Sequence, residues 1–129
     1  MQSNYAHPSL VYRRADDIRQ CINSMKRELA DLLVDSIDDH GHFPAEQVGK
    51  FANKIAHAEG RLEVALLLVH IEEEFGKDGI SKEDLGRRLL MEAVRDPQDK
   101  WSGRDNDVRR SFNDGRREAI DDAVLEYIR

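Results

Sequence analysis

Between Leu62 and Ile71 the apolar residues Val64, Ala65, Leu66, Leu67, Leu68 and Val69 extend around the whole circumference of a helix. A helix that is apolar all round has to be enclosed by neighbours, so any fold of this chain must wrap other elements about these residues. The flanking pattern extends the same helix. Val48, Phe51, Ile55, Ala58, Leu62, Ala65 and Val69 recur at alternating steps of three and four, straight through Gly60. That spacing predicts one helix over residues 45–75, with Pro44 where a first turn tolerates it. A glycine in a helix interior costs about 1 kcal/mol relative to alanine, so Gly60 is expected at a close approach to a neighbour or at a slight bend.

The covering elements are legible on either side. Val11, Ala15, Ile18, Ile22, Met25, Leu29 and Leu32 form one helix face, predicting a helix over 9–38 that Gly41 can stop in the left-handed conformation. Ser81-Lys82-Glu83-Asp84 has the form of a capping box. It opens a helix over 82–95 whose expected inner face is Leu85, Leu89, Leu90, Ala93 and Val94, ended by Asp96-Pro97. The last helix is expected over 105–128, with Val108, Phe112, Ala119, Ile120, Ala123, Val124 and Tyr127 inward; Gly115 is a point where it could break, and the spacing leaves that open. Residues 1–8 read as a flexible N-terminus and 9–129 as a single helical domain. The fold class is all-α, an antiparallel bundle of about four helices. The long apolar seam of the first helix leaves room for a homodimer.

Composition narrows the function. The formal net charge is −6, which speaks against general affinity for nucleic acid, since that needs a positive field. No apolar run reaches membrane-spanning length, and Met1–His7 has no apolar core of the kind a secretory signal carries. The single cysteine, Cys21, can form no internal disulfide, so a reducing, cytoplasmic setting is expected. Of 20 basic residues 14 are arginine, the side chain suited to fixed pairing with carboxylates. Eight of them stand as adjacent pairs: Arg13/Arg14, Arg87/Arg88, Arg109/Arg110 and Arg116/Arg117.

Ser36 to Gln47, with Asp38, Asp39, His40, Gly41, His42 and Phe43, looks like a calcium-binding EF-hand loop, and Glu73 to Asp84 has a similar look. Ser36 stands at the first ligand position and Gln47 at the closing one, where a calcium loop needs carboxylates; a degenerate calcium-binding protein is one alternative function. Glu28-Leu29-Ala30-Asp31 resembles the E-x-x-D step of the all-helical nucleotide pyrophosphohydrolases of the MazG type, which implies magnesium-dependent hydrolysis as a second alternative. That family's partner E-x-x-E is missing upstream, and Glu118-Ala119-Ile120-Asp121 lies far downstream. His40 and His42 fix no metal geometry at their spacing. Of the remaining histidines, His70 is expected in hydrogen-bonded packing and His57 exposed. No catalytic set, metal or cofactor is expected.

Two charged surfaces break local rules. Glu28, Asp31, Asp35 and Asp38 form an acidic stripe running into the last turn of the first helix, where carboxylates oppose the dipole. The last helix reverses the dipole preference along its whole length, with Arg104, Arg109, Arg110, Arg116 and Arg117 before Glu118, Asp121, Asp122 and Glu126. Arg109 and Arg116 also project onto the apolar side. Either they meet carboxylates inside the fold, the helix bends at Gly115, or this half faces a partner. The expected function is therefore a small non-catalytic protein-interaction module, an adaptor, regulator or inhibitor. Its contact residues would be Trp101, Arg104, Arg109, Arg110, Arg116 and Arg117. Its partner would be an acidic protein surface or a second copy offering the acidic stripe.

Overall fold

The computed structural model describes residues 8–39, 45–76, 79–94 and 106–129. They form four α-helices: α1 (Pro8–Asp39), α2 (Ala45–Phe75), α3 (Lys82–Val94) and α4 (Asn106–Ala123), the last closed by a π-helical turn at Val124–Ile128. No strand occurs among the described residues. The boundaries follow the periodicity of the sequence to within a residue or two. Gly41, Pro44, His40, His42, Asp96, Pro97, Trp101 and Arg104 lie outside the described residues, as do residues 1–7.

Between α2 and α3 the turn chemistry is explicit. Gly76 and Gly79 take positive φ of 54° and 71°, a conformation that costs most side chains a clash with the backbone. The hydroxyl of Ser81 accepts from the backbone N–H of Asp84 at 3.1 Å, satisfying one orphan donor of the first turn of α3.

Helix directions follow from which residues meet. Arg14 reaches Glu126, and Arg19, Asn23 and Lys26 flank Glu59 and Leu62, so α1 runs antiparallel to α2 and α4. Arg88 meets Glu74 while Glu92 lies across Arg116 from Glu63, so α3 also runs against α2. Consecutive helices thus alternate up and down, and α2 and α4 run parallel to each other.

In a square bundle such a parallel pair would sit on a diagonal. Here α2 and α4 touch directly, because both carry a glycine at the crossing. A Cβ on Gly60 would lie 2.1 Å from the carbonyl oxygen of Phe112, and one on Gly115 would lie 2.0 Å from that of His57. Gly115 therefore does not break the helix; α4 runs on through it, and the missing side chain lets backbone meet backbone. Closing this diagonal leaves α1 and α3 on either side of the α2/α4 pair.

The main core sits toward one end. It joins Val11 of α1, Val64, Leu68 and Ile71 of α2, Ile80, Leu85 and Leu89 of the α3 region, and Ile120, Ala123 and Tyr127 at the end of α4. Leu62, Leu66, Leu67 and Val69 are half-buried, so the apolar centre of α2 is enclosed on most of its circumference. His70 is the exception. It is exposed, 3.9 Å from Glu74, and it is His57 that finds a partner, Glu118 at 3.1 Å. His57 lies at the α2/α4 crossing, where its backbone meets Gly115.

The π turn adjusts the end of α4. Arg129 donates its backbone N–H to the carbonyl of Val124 at 3.0 Å, a wider loop than the α-helical one. It turns Tyr127 into the core while Ile128 packs toward Gly86 of α3.

Candidate functional site

Each adjacent arginine pair divides its labour. Residues one apart on a helix point about 100° from each other, so only one of two can face a neighbour. Arg14, Arg88, Arg109 and Arg116 turn inward, while Arg13, Arg87, Arg110 and Arg117 are exposed.

Arg116 goes deepest, at 4% exposure. Its Nη2 donates to the backbone carbonyl of Glu92, and its Nη1 to the Asn113 side-chain oxygen at 3.4 Å. Its Nε lies 3.5 Å from a carboxylate oxygen of Glu92 and 3.9 Å from one of Glu63. Three helices are joined by one guanidinium. Burial pushes the Glu92 carboxyl above the ordinary glutamate range, and attraction to Arg116 pulls it back only in part. Of the three fates open to this arginine, it takes the internal one, and it is not available to a partner. Arg109 is half-buried.

The carboxylates at the far end of α4 are explained the same way. Glu118, Asp122 and Glu126, four apart, form a stripe along α4 toward α1 and α2. Arg61 of α2 donates to Glu118 at 2.6 Å and to Asp122 at 3.3 Å. Arg14 of α1 grips Glu126 through both terminal nitrogens and reaches the Tyr127 hydroxyl at 2.7 Å. The Arg14 pKa is raised, first by its hydrogen bond to Glu126. Tertiary cations thus offset what the helix dipole disfavours. This network was not foreseen from sequence; the signal for it was the i, i+4, i+8 spacing of the three carboxylates.

Behind that network lies a cavity of about 70 Å³, lined by Ile18, Val64, Leu68, Ala119 and Ala123. That is well below the roughly 300 Å³ of typical small-molecule sites. Among the described residues no three His, Cys, Asp or Glu side chains converge as metal ligands would. Glu28 and Asp31, the E-x-x-D step, are exposed on α1. The calcium-loop resemblance meets a geometric obstacle. Helix α1 continues through Ser36–Asp39 and α2 begins at Ala45, leaving only 40–44 between helices where a calcium site needs a twelve-residue loop. The second stretch, from Glu73, is likewise occupied by the end of α2 and the start of α3.

Two surfaces remain. On α1, Glu28, Asp31 and Asp35 are exposed, beside Val34 at 56% exposure; Asp38 is described by its backbone alone. On the opposite side, α3 departs from expectation. Leu85 and Leu89 face the core, but Leu90, Met91 and Val94 are 63%, 69% and 70% exposed, and Ala93 is exposed too. The reason is the position of Glu92: by meeting Arg116 it fixes Leu85, Leu89 and Glu92 as the inner stripe, which turns Leu90 and Val94 outward. Arg87, Leu90 or Met91, and Val94 then share one outward stripe at helical spacing. The Arg116–Glu92 contact holds this stretch of α3 against the arginine-bearing half of α4, where Arg110 and Arg117 are exposed.

Fold and surface together define an all-α bundle with its parallel diagonal closed and two charged, partly apolar flanks. A scan against protein-family models finds no match, and neither do searches of curated proteins and of solved structures. No helix among the described residues is long and apolar enough to cross a membrane.

Proposed function

We propose that this protein is a non-catalytic interaction module, an adaptor, regulator or inhibitor, that docks on an acidic protein surface through the flank built by α4 and α3. The observation that carries this reading is the exposed apolar stripe Leu90, Met91 and Val94 on the flank where Arg110 and Arg117 are exposed. Apolar anchors supply affinity once desolvated, and surrounding arginines steer and orient an acidic partner. Arg117 has no ion-pair partner among the described residues, and Arg110 has only a 4.0 Å contact with Asp107 one turn away. Exposed pairs of that kind are worth little, so both cations are free to engage. Trp101 and Arg104, which the sequence places between α3 and α4, lie outside the described residues. The exposed thiol of Cys21 fits a reducing, cytoplasmic setting.

The test is binding of a fluorescently labelled poly-glutamate peptide, followed by anisotropy across a salt series. The double variant Arg110→Glu/Arg117→Glu should keep its circular dichroism spectrum and bind about tenfold more weakly or worse, a loss of about 1.4 kcal/mol. Binding indifferent to the double variant, or tighter binding of duplex DNA than of the peptide, refutes the reading.

A further inference from the structure

We infer that the acidic surface this flank fits is a second copy of the same chain, offered by the C-terminal half of α1, so that copies associate head to tail. The inference rests on the interaction-module reading and names its partner.

The seam of α1 is covered unevenly. Val11, Ala15 and Ile22 are buried, whereas Met25, Leu29, Leu32 and Leu33 are only half-buried and Val34 is exposed. Glu28, Asp31 and Asp35 surround that exposed end, and none of the three has an ion-pair partner among the described residues. The flank of α3 and α4 is its complement in kind: an apolar stripe flanked by cations. Arg87 and Arg110 hold only local contacts, to Asp84 at 3.2 Å and Asp107 at 4.0 Å, with both partners well exposed. Each surface thus pairs exposed apolar groups with uncommitted charge, and the charges are of opposite sign. Two copies of either surface would repel each other.

Geometry decides the kind of assembly. Because the α2/α4 contact places α1 and α3 on opposite sides, one neighbour cannot fill both surfaces of a copy at once. The contact is therefore heterologous and repeats, giving an open chain or a closed ring in place of a two-fold dimer.

The experiment uses sedimentation velocity over a range of concentrations with two surface variants. Leu90→Asp/Arg117→Glu disables the α3/α4 flank, and Asp31→Asn/Asp35→Asn disables the α1 end. The unaltered protein should grow past dimer mass with concentration, and less so at high salt. Each variant alone should associate about tenfold more weakly or worse. Their equimolar mixture should form a heterodimer and stop there, since each keeps only one working surface. An unaltered protein that stays monomeric while still binding poly-glutamate overturns this inference and leaves the module reading standing; loss of both behaviours removes both. Growth that stops at a dimer, or is unaffected by Asp31→Asn/Asp35→Asn, overturns it as well. So does a large fall in melting temperature for Leu90→Asp without association of the parent, which would mean that the chain itself covers the stripe.

Discussion

Replacing Gly60 by alanine puts a methyl group where the backbone of α4 already lies. The new Cβ would stand 2.1 Å from the Phe112 carbonyl oxygen and 2.9 Å from the Arg116 nitrogen. These neighbours are main-chain atoms of a helix and cannot rotate away, so the two helices must separate by more than an ångström. Overpacking of this kind typically costs 1–3 kcal/mol, and a backbone obstacle argues for the upper end, about 3 kcal/mol. Alanine returns about 1 kcal/mol of helix propensity, so the net loss is about 2 kcal/mol. For a domain of this size that lowers the melting temperature by roughly 8 °C. Gly49→Ala is the internal control: it lies in the same helix with nothing within 4 Å of its Cβ, and should stabilise by up to about 1 kcal/mol. Thermal and urea denaturation followed by helical circular dichroism measure both. Should Gly60→Ala stabilise as Gly49→Ala does, the close crossing of α2 and α4 does not exist.

Arg116→Met should destabilise by about 3 kcal/mol or more, because it removes the buried guanidinium that joins Glu63 and Glu92 to α4; urea midpoints measure it, and a loss under about 1 kcal/mol contradicts the clasp. Carbon-detected NMR titration should place the Glu92 carboxyl above the ordinary glutamate range, and Arg116→Met should push it higher still. Since its folded pKa is raised, Glu92 contributes stability that is full below the unfolded value of about 4.3 and is lost as pH rises through the folded value. Glu92→Gln should flatten that slope. Tyr127 should ionise at higher pH than an ordinary tyrosine, because burial outweighs its proximity to Arg14; ultraviolet titration against Tyr127→Phe isolates it, and a normal midpoint would place its ring in solvent. Glu126→Gln, by contrast, breaks a pair in which both side chains are more than a third exposed. It should cost less than about 1 kcal/mol, and less again in high salt.

How far the candidate surfaces could be read in advance differs between them. Exposure of Glu28, Asp31 and Asp35 was legible, because they lie opposite the apolar positions of α1 and helical spacing alone decides the face. The apolar stripe on α3 was not. Leu85, Leu89, Leu90, Ala93 and Val94 fit one broad inner face by spacing, and only the engagement of Glu92 by Arg116 selects which half of it is buried. The same holds for Arg109 and Arg116, whose inward projection was visible but whose partners were not. A buried charge requires a counter-charge, and the requirement does not say from which helix it comes.

Helix number, extent and the enclosure of residues 62–71 were determined by the sequence by itself, since local periodicity, capping at Ser81 and turns at Gly76 and Gly79 act over a few residues. The sequence also marked Gly60 as a site of close approach or of a slight bend. That its counterpart is Gly115, and that this pairing makes neighbours of two parallel helices, was decided only in three dimensions. So was the reconciliation of α4 with its own dipole, through Arg61 and Arg14 from other helices. Short-range rules state what each segment can tolerate; which distant groups relieve the conflict depends on how the helices cross.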